Sequence, residues 1–546
     1  MNSTSEVVSE SMDDKMITRS RSAADTKPDG LYAKYVLFVL ILVSALNFFD
    51  RAIMGVLVED IKADLKLTDA DMGFLGGAAF AIFYATFGMA LGRLADVWNR
   101  TKLLSLGLGL WSLMTALSGY AQGMRSLALC RFGVGVGESC ASPTALSIIY
   151  DYFSSKKRTR AVAIFNCGGV IGSGLGFYAA GMILDSWNAA WPDASLAPLG
   201  LKGWQAAFVI AGLPGLLVAL WASTLREPVR GQSDGITNQP HARPFHEAAS
   251  TLVSMIPIVN LFVLAKAKNG RKAVMINGVI TLTIIVIVYS LVQLTNDRLQ
   301  WIAMGIGVYA VVSWAQGLAV KDPVVFAMIF QCKTLVYLMG GMATLLFMMG
   351  ALFWTVPYFQ RNYGVSASEM GAILGGGGAI TGIIGVLVGG ALADRLRAHT
   401  SSGKLYVLLA GMVGSVFCYF ILLTAKQLYF AYAAYFLFSL SFSLTIPTVL
   451  STLNDLVLPR SRATISAFYV MLVTLSGPAL SPYIVGSISD AIVTTGVSSG
   501  EALRQSMLWA IVAPVVGIAL IVLSIRHIEF DEARVLDRAR ALGEPI

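Results

Sequence analysis

Long apolar runs alternate with short polar connections along this chain, and the run length fixes the element type. A helix that crosses a bilayer needs roughly 20 mostly apolar residues. Runs of that kind cover residues 35–58, 72–92, 103–121, 126–149, 161–184 and 204–225, and a second set covers 334–359, 367–392, 405–424, 428–453, 463–488 and 507–525. Between the sets lie two more, 273–294 and 300–320, joined by Thr295-Asn296-Asp297-Arg298. The pattern predicts an all-α polytopic membrane protein of two six-helix halves with two extra central helices, 14 spans in all. The expected segments are a disordered cytoplasmic tail at 1–30, an N-terminal half at 31–226, a central linker at 227–333, a C-terminal half at 334–526 and a second cytoplasmic tail at 527–546.

Lysine and arginine in short connections set orientation. They gather after alternate spans: Arg93, Arg100 and Lys102; Lys156, Lys157, Arg158 and Arg160; Arg226 and Arg230; Arg395, Arg397 and Lys404; Arg460 and Arg462. The intervening connections carry few basic residues or balance them with acids, as in Glu59 to Asp71. Both termini are therefore expected in the cytoplasm, with the protein in the cell membrane, plasma or inner. The stretch from Phe245 to Lys266 is interrupted by Glu247, Pro257 and Asn260. It reads as an amphipathic helix on the cytoplasmic face, anchored by Lys266, Lys268, Arg271 and Lys272. A fifteenth span there would invert everything downstream and put the basic loops outside.

Composition agrees and removes other classes. Of 546 residues, 56% are hydrophobic and 13% charged, and the mean hydropathy is +0.69. The net charge of +8 comes from the basic connections, so it is an orientation signal and implies no nucleic-acid partner. Cys130, Cys140, Cys167, Cys332 and Cys418 show no paired spacing, and His241, His246, His399 and His527 all lie in polar connections. No disulfide framework, metal site or intramembrane histidine relay is indicated. There is no phosphate-binding G-x-x-x-x-G-K-[ST] loop, no catalytic constellation within the spans and no expected cofactor, so neither an ATP-driven pump nor an enzyme is expected.

The two halves repeat one another coarsely, as in many transporters. Leu94-Ala95-Asp96 follows the second helix of the first half and Leu392-Ala393-Asp394-Arg395 the second helix of the other. Arg158-Thr159-Arg160-Ala161 and Arg460-Ser461-Arg462-Ala463 enter the two fifth helices. The run Gly92-Arg93-Leu94-Ala95-Asp96-Val97-Trp98-Asn99-Arg100-Thr101-Lys102 resembles the signature loop of the major facilitator superfamily. Asn47-Phe48-Phe49-Asp50-Arg51, Arg131-Phe132-Gly133-Val134-Gly135-Val136-Gly137-Glu138 and Asp151-Tyr152-Phe153 resemble its spinster-like branch. The resemblance implies the major facilitator fold and a cytoplasmic gate built from Gly92, Asp96, Arg100, Lys102, Asp394 and Arg395. Gly92 would allow close helix approach, and Arg100 and Lys102 would pair across the seam. Plain topogenic charge is the other reading of those basic residues.

Charges inside the spans carry more information. An ionisable side chain at the bilayer centre costs at least ~2.5–3.5 kcal/mol, so such residues face a cavity or each other. Asp50, Arg51, Arg131 and Glu138 stand well inside their spans. A separation of seven residues puts Arg131 and Glu138 within about 20° of one helix face, about 10 Å apart along the axis. Asp50 and Arg51 fall at depths between them and, diverging by about 100°, address different partners. Asp50 and Glu138 are the expected protonatable sites, since burial favours the neutral acid and a nearby guanidinium the carboxylate. Arg51 and Arg131 suit an anionic head group, which guanidinium binds bidentately. Asn47, Tyr84 and Asn166 are further candidate contacts. A static ion-pair network between the first and fourth helices is the alternative.

The C-terminal half is poor in buried charge and offers Trp354, Tyr358, Ser466 and Tyr469 as candidate contacts for an apolar chain, although packing explains each of them singly. Gly168, Gly172 and Gly176 form a small-residue seam. Gly375 to Gly378 is less ordinary, because each glycine weakens a helix by about 1 kcal/mol relative to alanine, and a hinge is one reading. The expectation is a monomeric, proton-coupled secondary transporter working by alternating access. Its substrate would be an amphipathic anion such as a lysophospholipid or sphingoid phosphate, presented among membrane lipid. A proton-coupled symporter of small organic anions, such as sugar acids or carboxylates, is the alternative.

Overall fold

The computed structural model describes residues 29–230, 244–253, 259–265, 270–458 and 461–541. Regular structure among the described residues is helical, without strands. Most of the expected tail at 1–30, the anchoring Lys266 and Lys268, Arg460 and residues 542–546 lie outside the described residues.

The N-terminal half contains α1 (Leu31–Val56), α2 (Asp69–Val97), α3 (Arg100–Ser118), α4 in two segments (Met124–Glu138 and Ala141–Tyr152), α5 (Ser155–Ala190) and α6 (Gly203–Ser223). The central pair is α7 (Gly270–Thr295) and α8 (Arg298–Lys321). The C-terminal half contains α9 (Lys333–Tyr363), α10 (Ala367–Arg397), α11 (Gly403–Thr424), α12 (Leu428–Asp455), α13 (Thr464–Val493) and α14 (Ser499–Ala533). Fourteen spans are expected from the sequence, whereas 12 described helices are long and apolar enough to cross a membrane. The shortfall is α3 and α4, not the central pair. α3 opens on Arg100-Thr101-Lys102, and α4 carries Arg131 and Glu138 and breaks at Ser139-Cys140. Neighbours cover that polarity: α3 packs along α6 and α4, and α4 along α2.

Two expected segments gain detail and one local expectation is corrected. Within the surface helix expected at 245–266, Pro244–Val253 and Val259–Ala265 are helical and dock on the bundle, and residues 254–258 lie outside the described residues. Phe245 meets Trp98 with ring centroids 5.0 Å apart, and Ala248 packs on the patch formed by Leu94, Ala95 and Leu103. The tail expected at 527–546 is helical through Ala533 and again over Val535–Ala541, which docks on Pro323–Phe330. Asp531 fixes the turn by accepting from the Thr334 amide at 2.9 Å and its hydroxyl at 2.8 Å. The start of α9 and the end of α14 are thereby clamped together. Gly92 makes no tight approach, because a Cβ there would lie 3.9 Å from Pro143, an ordinary contact.

The glycine seam on α5 is a packing device. A Cβ at Gly168, Gly172 or Gly176 would lie 2.6, 2.0 or 2.7 Å from the α1 carbonyl oxygens of Ile41, Ala45 and Phe49. The obstacle is backbone, which cannot swing aside. Gly172→Val is expected to destabilise the fold by about 1–3 kcal/mol or more, the usual penalty for overpacking. Gly376→Ala, with nothing within 4 Å of the added methyl, is the control: stability to thermal unfolding in detergent should not fall and, by helix propensity, should rise by up to about 1 kcal/mol.

The halves meet along two seams, each pairing the second helix of one half with the fifth of the other: α2 with α13, and α5 with α10. Both seams are tightest at the acidic end, away from the basic connections, and contacts thin toward the basic end. A Cβ on Gly174 would lie 2.7 Å from the Gly375 oxygen, and one on Gly77 2.8 Å from the Pro478 oxygen. At both crossings the C-terminal half contributes a π-helical turn, Ile373–Gly377 in α10 and Leu475–Ala479 in α13. The glycine run proposed as a hinge thus sits in a widened turn on the seam, a common place for a local bulge.

Candidate functional site: a buried charge cluster in the N-terminal half

The four intramembrane charges converge between α1, α2, α3 and α4. Arg51 Nε donates to Glu138 Oε2 at 2.8 Å, joining α1 to α4. Thr115 of α3 donates its hydroxyl to Asp50 Oδ2 at 3.2 Å. The divergence expected of adjacent helical residues is therefore realised: Asp50 turns toward α3 and Arg51 toward α4. Asp50, Arg131 and Glu138 are all buried, and both carboxylates lie within electrostatic reach of Arg131.

An aromatic platform supports the arginines. The Arg51 guanidinium stands 4.6 Å from the Tyr84 ring centroid, 5.1 Å from Phe80 and 5.2 Å from Phe48. Arg131 stands 5.3 Å from the same Phe80 ring. Phe80 and Tyr84, four residues apart on α2, stack at 5.5 Å and present one continuous face. Guanidinium over an aromatic face gains about 0.5–2 kcal/mol, more when desolvated, without consuming a hydrogen-bond donor. Asp50 Oδ1, Arg131 Nε and Glu138 Oε1 are buried with no hydrogen-bond partner. Such groups are rare because each forfeits its solvation, so the cluster is under-satisfied on both its acidic and its basic members. Asn47, buried on α1, is a further polar neighbour of Glu138.

The remaining candidates separate into groups. Tyr84 belongs to the cluster. Asn166 is exposed on α5, Ser466 half-buried on α13 and Tyr469 mostly buried. Trp354 and Tyr358 are core residues of the C-terminal half. Trp354 donates to the Pro482 carbonyl at 2.9 Å, and the Tyr358 hydroxyl donates to the Leu422 carbonyl at 3.3 Å. Their polar atoms are spent within the protein, which corrects the expectation that they face a substrate. Arg100 does not reach across the seam either. It is buried among Asp151 and Ser147 of its own half and Glu227 at the start of the central linker, with Nε 2.7 Å from Glu227. Asp96, Lys102, Asp394 and Arg395 are exposed, and Gly92 is half-buried, so in this conformation the expected gate residues are not gathered into one latch.

The latch that is formed lies at the acidic end and was not anticipated from the sequence. Arg361 at the end of α9 donates to Glu59 at 2.7 Å and to both Asp69 oxygens at 2.7 and 2.8 Å. Asp490 of α13 accepts from the amides of Asp69 and Ala70 at 3.0 and 2.7 Å, capping the start of α2 across the seam.

The sequence profile of the Major Facilitator Superfamily matches residues 40–482. Among characterised proteins, the chain is 25% identical over 474 residues to protein spinster homolog 1 of Xenopus tropicalis, covering 84% of this chain and 73% of that protein. It is 26% identical over 457 residues to the sphingosine-1-phosphate transporter SPNS2 of Danio rerio, covering 82% and 74%. It is 24% identical over 482 residues to an MFS-type efflux pump of Mycolicibacterium smegmatis, covering 87% and 88%. A solved structure of a bacterial homolog to the human lysosomal transporter spinster, inward-facing and unoccupied, superposes with a TM-score of 0.69 at 25% identity, covering 92% of this chain and 99% of that one. Two six-helix halves, the paired seams and the match of the family profile over most of the chain have one reading: the protein is a multi-pass membrane transporter that belongs to the Major Facilitator Superfamily, with spinster homologs among its relatives.

Proposed function

We propose that the protein is a proton-coupled secondary transporter of an amphipathic anion, such as a lysophospholipid or sphingoid phosphate, working by alternating access. The observation that carries this reading is the under-satisfied charge cluster: the Arg51–Glu138 pair at 2.8 Å, beside Asp50 and Arg131, each with an unpartnered polar atom. An arginine that moves from a carboxylate to an anionic head group frees that carboxylate to take a proton, which links the two loads. Phe48, Phe80 and Tyr84 keep both guanidinium groups charged yet only partly bonded. The relative that transports sphingosine-1-phosphate supports the substrate class.

The described conformation is then one end state, closed at the acidic end. In the other, the loops bearing Gly92, Asp96, Arg100, Lys102, Asp394 and Arg395 close the basic end. That end faces the cytoplasm by the positive-inside rule, with the carrier a monomer in the cell membrane. Purified protein in detergent should gain thermal stability from lysolipids and sphingoid phosphates, and Arg131→Ala should remove most of that gain. Stabilisation by short carboxylates instead, with lysolipids inert, would select the small-anion symporter.

A further inference from the structure

The two seams are related by the repeat, and matched positions on them have opposite exposure. On α5–α10, a Cβ at Gly371 would lie 2.9 Å from the Cα of Tyr178. On α2–α13, a Cβ at Gly73 would lie 2.6 Å from the Cα of Tyr483. Each tyrosine borders its seam at the same kind of crossing, yet Tyr178 is 46% exposed and Tyr483 1%.

The difference is the central pair. Trp301 of α8 stands edge-on to Tyr483 at 5.4 Å, and the Tyr483 hydroxyl donates to Asp297, in the α7–α8 turn, at 2.6 Å. Further along, Gly307 lies against both halves: a Cβ there would lie 2.7 Å from Leu475 of α13 and 3.4 Å from Ile82 of α2. Trp314 stacks on Phe468 of α13 at 5.5 Å. α7 and α8 are also fastened to each other, by Asn277 donating to Gln316 at 2.8 Å and accepting from Tyr309 at 3.0 Å. Buried side-chain amide bonds of this kind hold membrane helices together where apolar packing gives no preference over lipid. The pair is therefore a self-fastened unit laid along one seam.

We propose that the α7–α8 pair is a seam seal: it excludes bilayer lipid from the α2–α13 seam and leaves the α5–α10 seam as the one open to the membrane. Because α8 touches α2 and α13 together, it covers the line where the halves part, and the carrier's exposure to lipid is one-sided. This role is independent of the cargo.

The test is to reconstitute the full-length protein in phosphatidylcholine–phosphatidylglycerol vesicles containing a diazirine-bearing phosphatidylcholine. After illumination, lipid adducts are mapped by peptide mass spectrometry. Adducts are expected at Tyr178 and not at Tyr483, Ile82 or Leu475. Gly307→Leu, which wedges α8 away from Leu475, should bring adducts at Ile82 and Leu475 up to the level at Tyr178. Trp314→Ala, which removes the stack on Phe468 without adding bulk, should do the same more weakly and guards against misfolding of the first variant. Equal labelling of both seams in the unaltered protein, or unchanged labelling in both folded variants, overturns the proposal. Because the probe is bulk lipid, failure of the amphipathic-anion reading would leave these outcomes as informative as before.

Discussion

Glu138→Gln is expected to abolish uptake driven by a proton gradient while leaving substrate counterflow in place. Glutamine keeps the shape of the side chain and one acceptor for Arg51 Nε, now 2.8 Å from Glu138 Oε2, but it cannot exchange a proton. Uptake into proteoliposomes should fall to that of protein-free vesicles. Counterflow needs no net proton movement and should stay within about tenfold of wild type, equivalent to the ~1.4 kcal/mol upper range for one neutral hydrogen bond. Removing one partner of a buried ion pair costs about 3–5 kcal/mol where the remaining charge is fully enclosed. The penalty here is smaller, because the Arg51 side chain is 30% exposed and rests on three aromatic rings, so the variant should fold. Asp50→Asn tests how the role is divided: Asp50 bonds to Thr115 rather than to an arginine, and its loss should disturb Arg131 more than Arg51. If Glu138→Gln loses both activities, or neither, the coupling role fails and the cluster is a static brace.

The charge cluster was legible because membrane burial makes an ionisable residue expensive, and four of them stood out against apolar spans. Helical periodicity gave their directions but not their partners: seven residues bring Arg131 and Glu138 onto one face and adjacency keeps Asp50 and Arg51 apart, whereas the Arg51–Glu138 pair is seen only in three dimensions. The aromatic platform was less visible, since Phe48 and Phe80 are ordinary residues in an apolar helix and only three-dimensional packing puts both arginines over Phe80. Trp354 and Tyr358 were misread for the complementary reason. An aromatic residue with a polar tip fits a ligand site and a core equally well, and the deciding fact is the carbonyl of Pro482 or Leu422 that takes its hydrogen. The fold was legible at the level of halves and repeats, and α3 and α4, whose polar residues take them below the length and apolarity of the other twelve helices, still fill the third and fourth places of their half. The acidic-end latch was invisible, because Glu59, Asp69, Arg361 and Asp490 sit at helix ends where charge is routine.

That latch carries the second large effect: Arg361→Leu is expected to shift the carrier away from the acidic-end-closed conformation. Arg361 is almost enclosed, with its side chain 6% exposed, and Asp69 is 1% exposed, so their contact is screened little by salt. The bidentate geometry onto Asp69, with two further bonds to Glu59, is one that lysine cannot reproduce. Asp69 is not abandoned in the variant, because Lys62 lies 2.5 Å away and Ser489 donates at 2.8 Å. The loss should therefore fall below the 3–5 kcal/mol of an orphaned buried charge, at about 2 kcal/mol, which moves a two-state equilibrium roughly thirtyfold. Spin labels at Lys66 and Thr494, exposed on opposite halves at the acidic end, report it directly: the distance distribution should gain a longer population in Arg361→Leu, and Arg361→Lys should restore it only in part. Asp69→Asn should open the same end, and the double variant should fall short of the sum, since both single changes remove the Arg361–Asp69 contact while Glu59 on Arg361 and Lys62 on Asp69 are lost or weakened separately. Additive effects would assign Arg361 to the packing of its own half against Trp354, whose ring lies 6.0 Å from the guanidinium, and an unchanged distance in Arg361→Leu would leave closure of the acidic end to the glycine crossings at Gly73, Gly77 and Gly174.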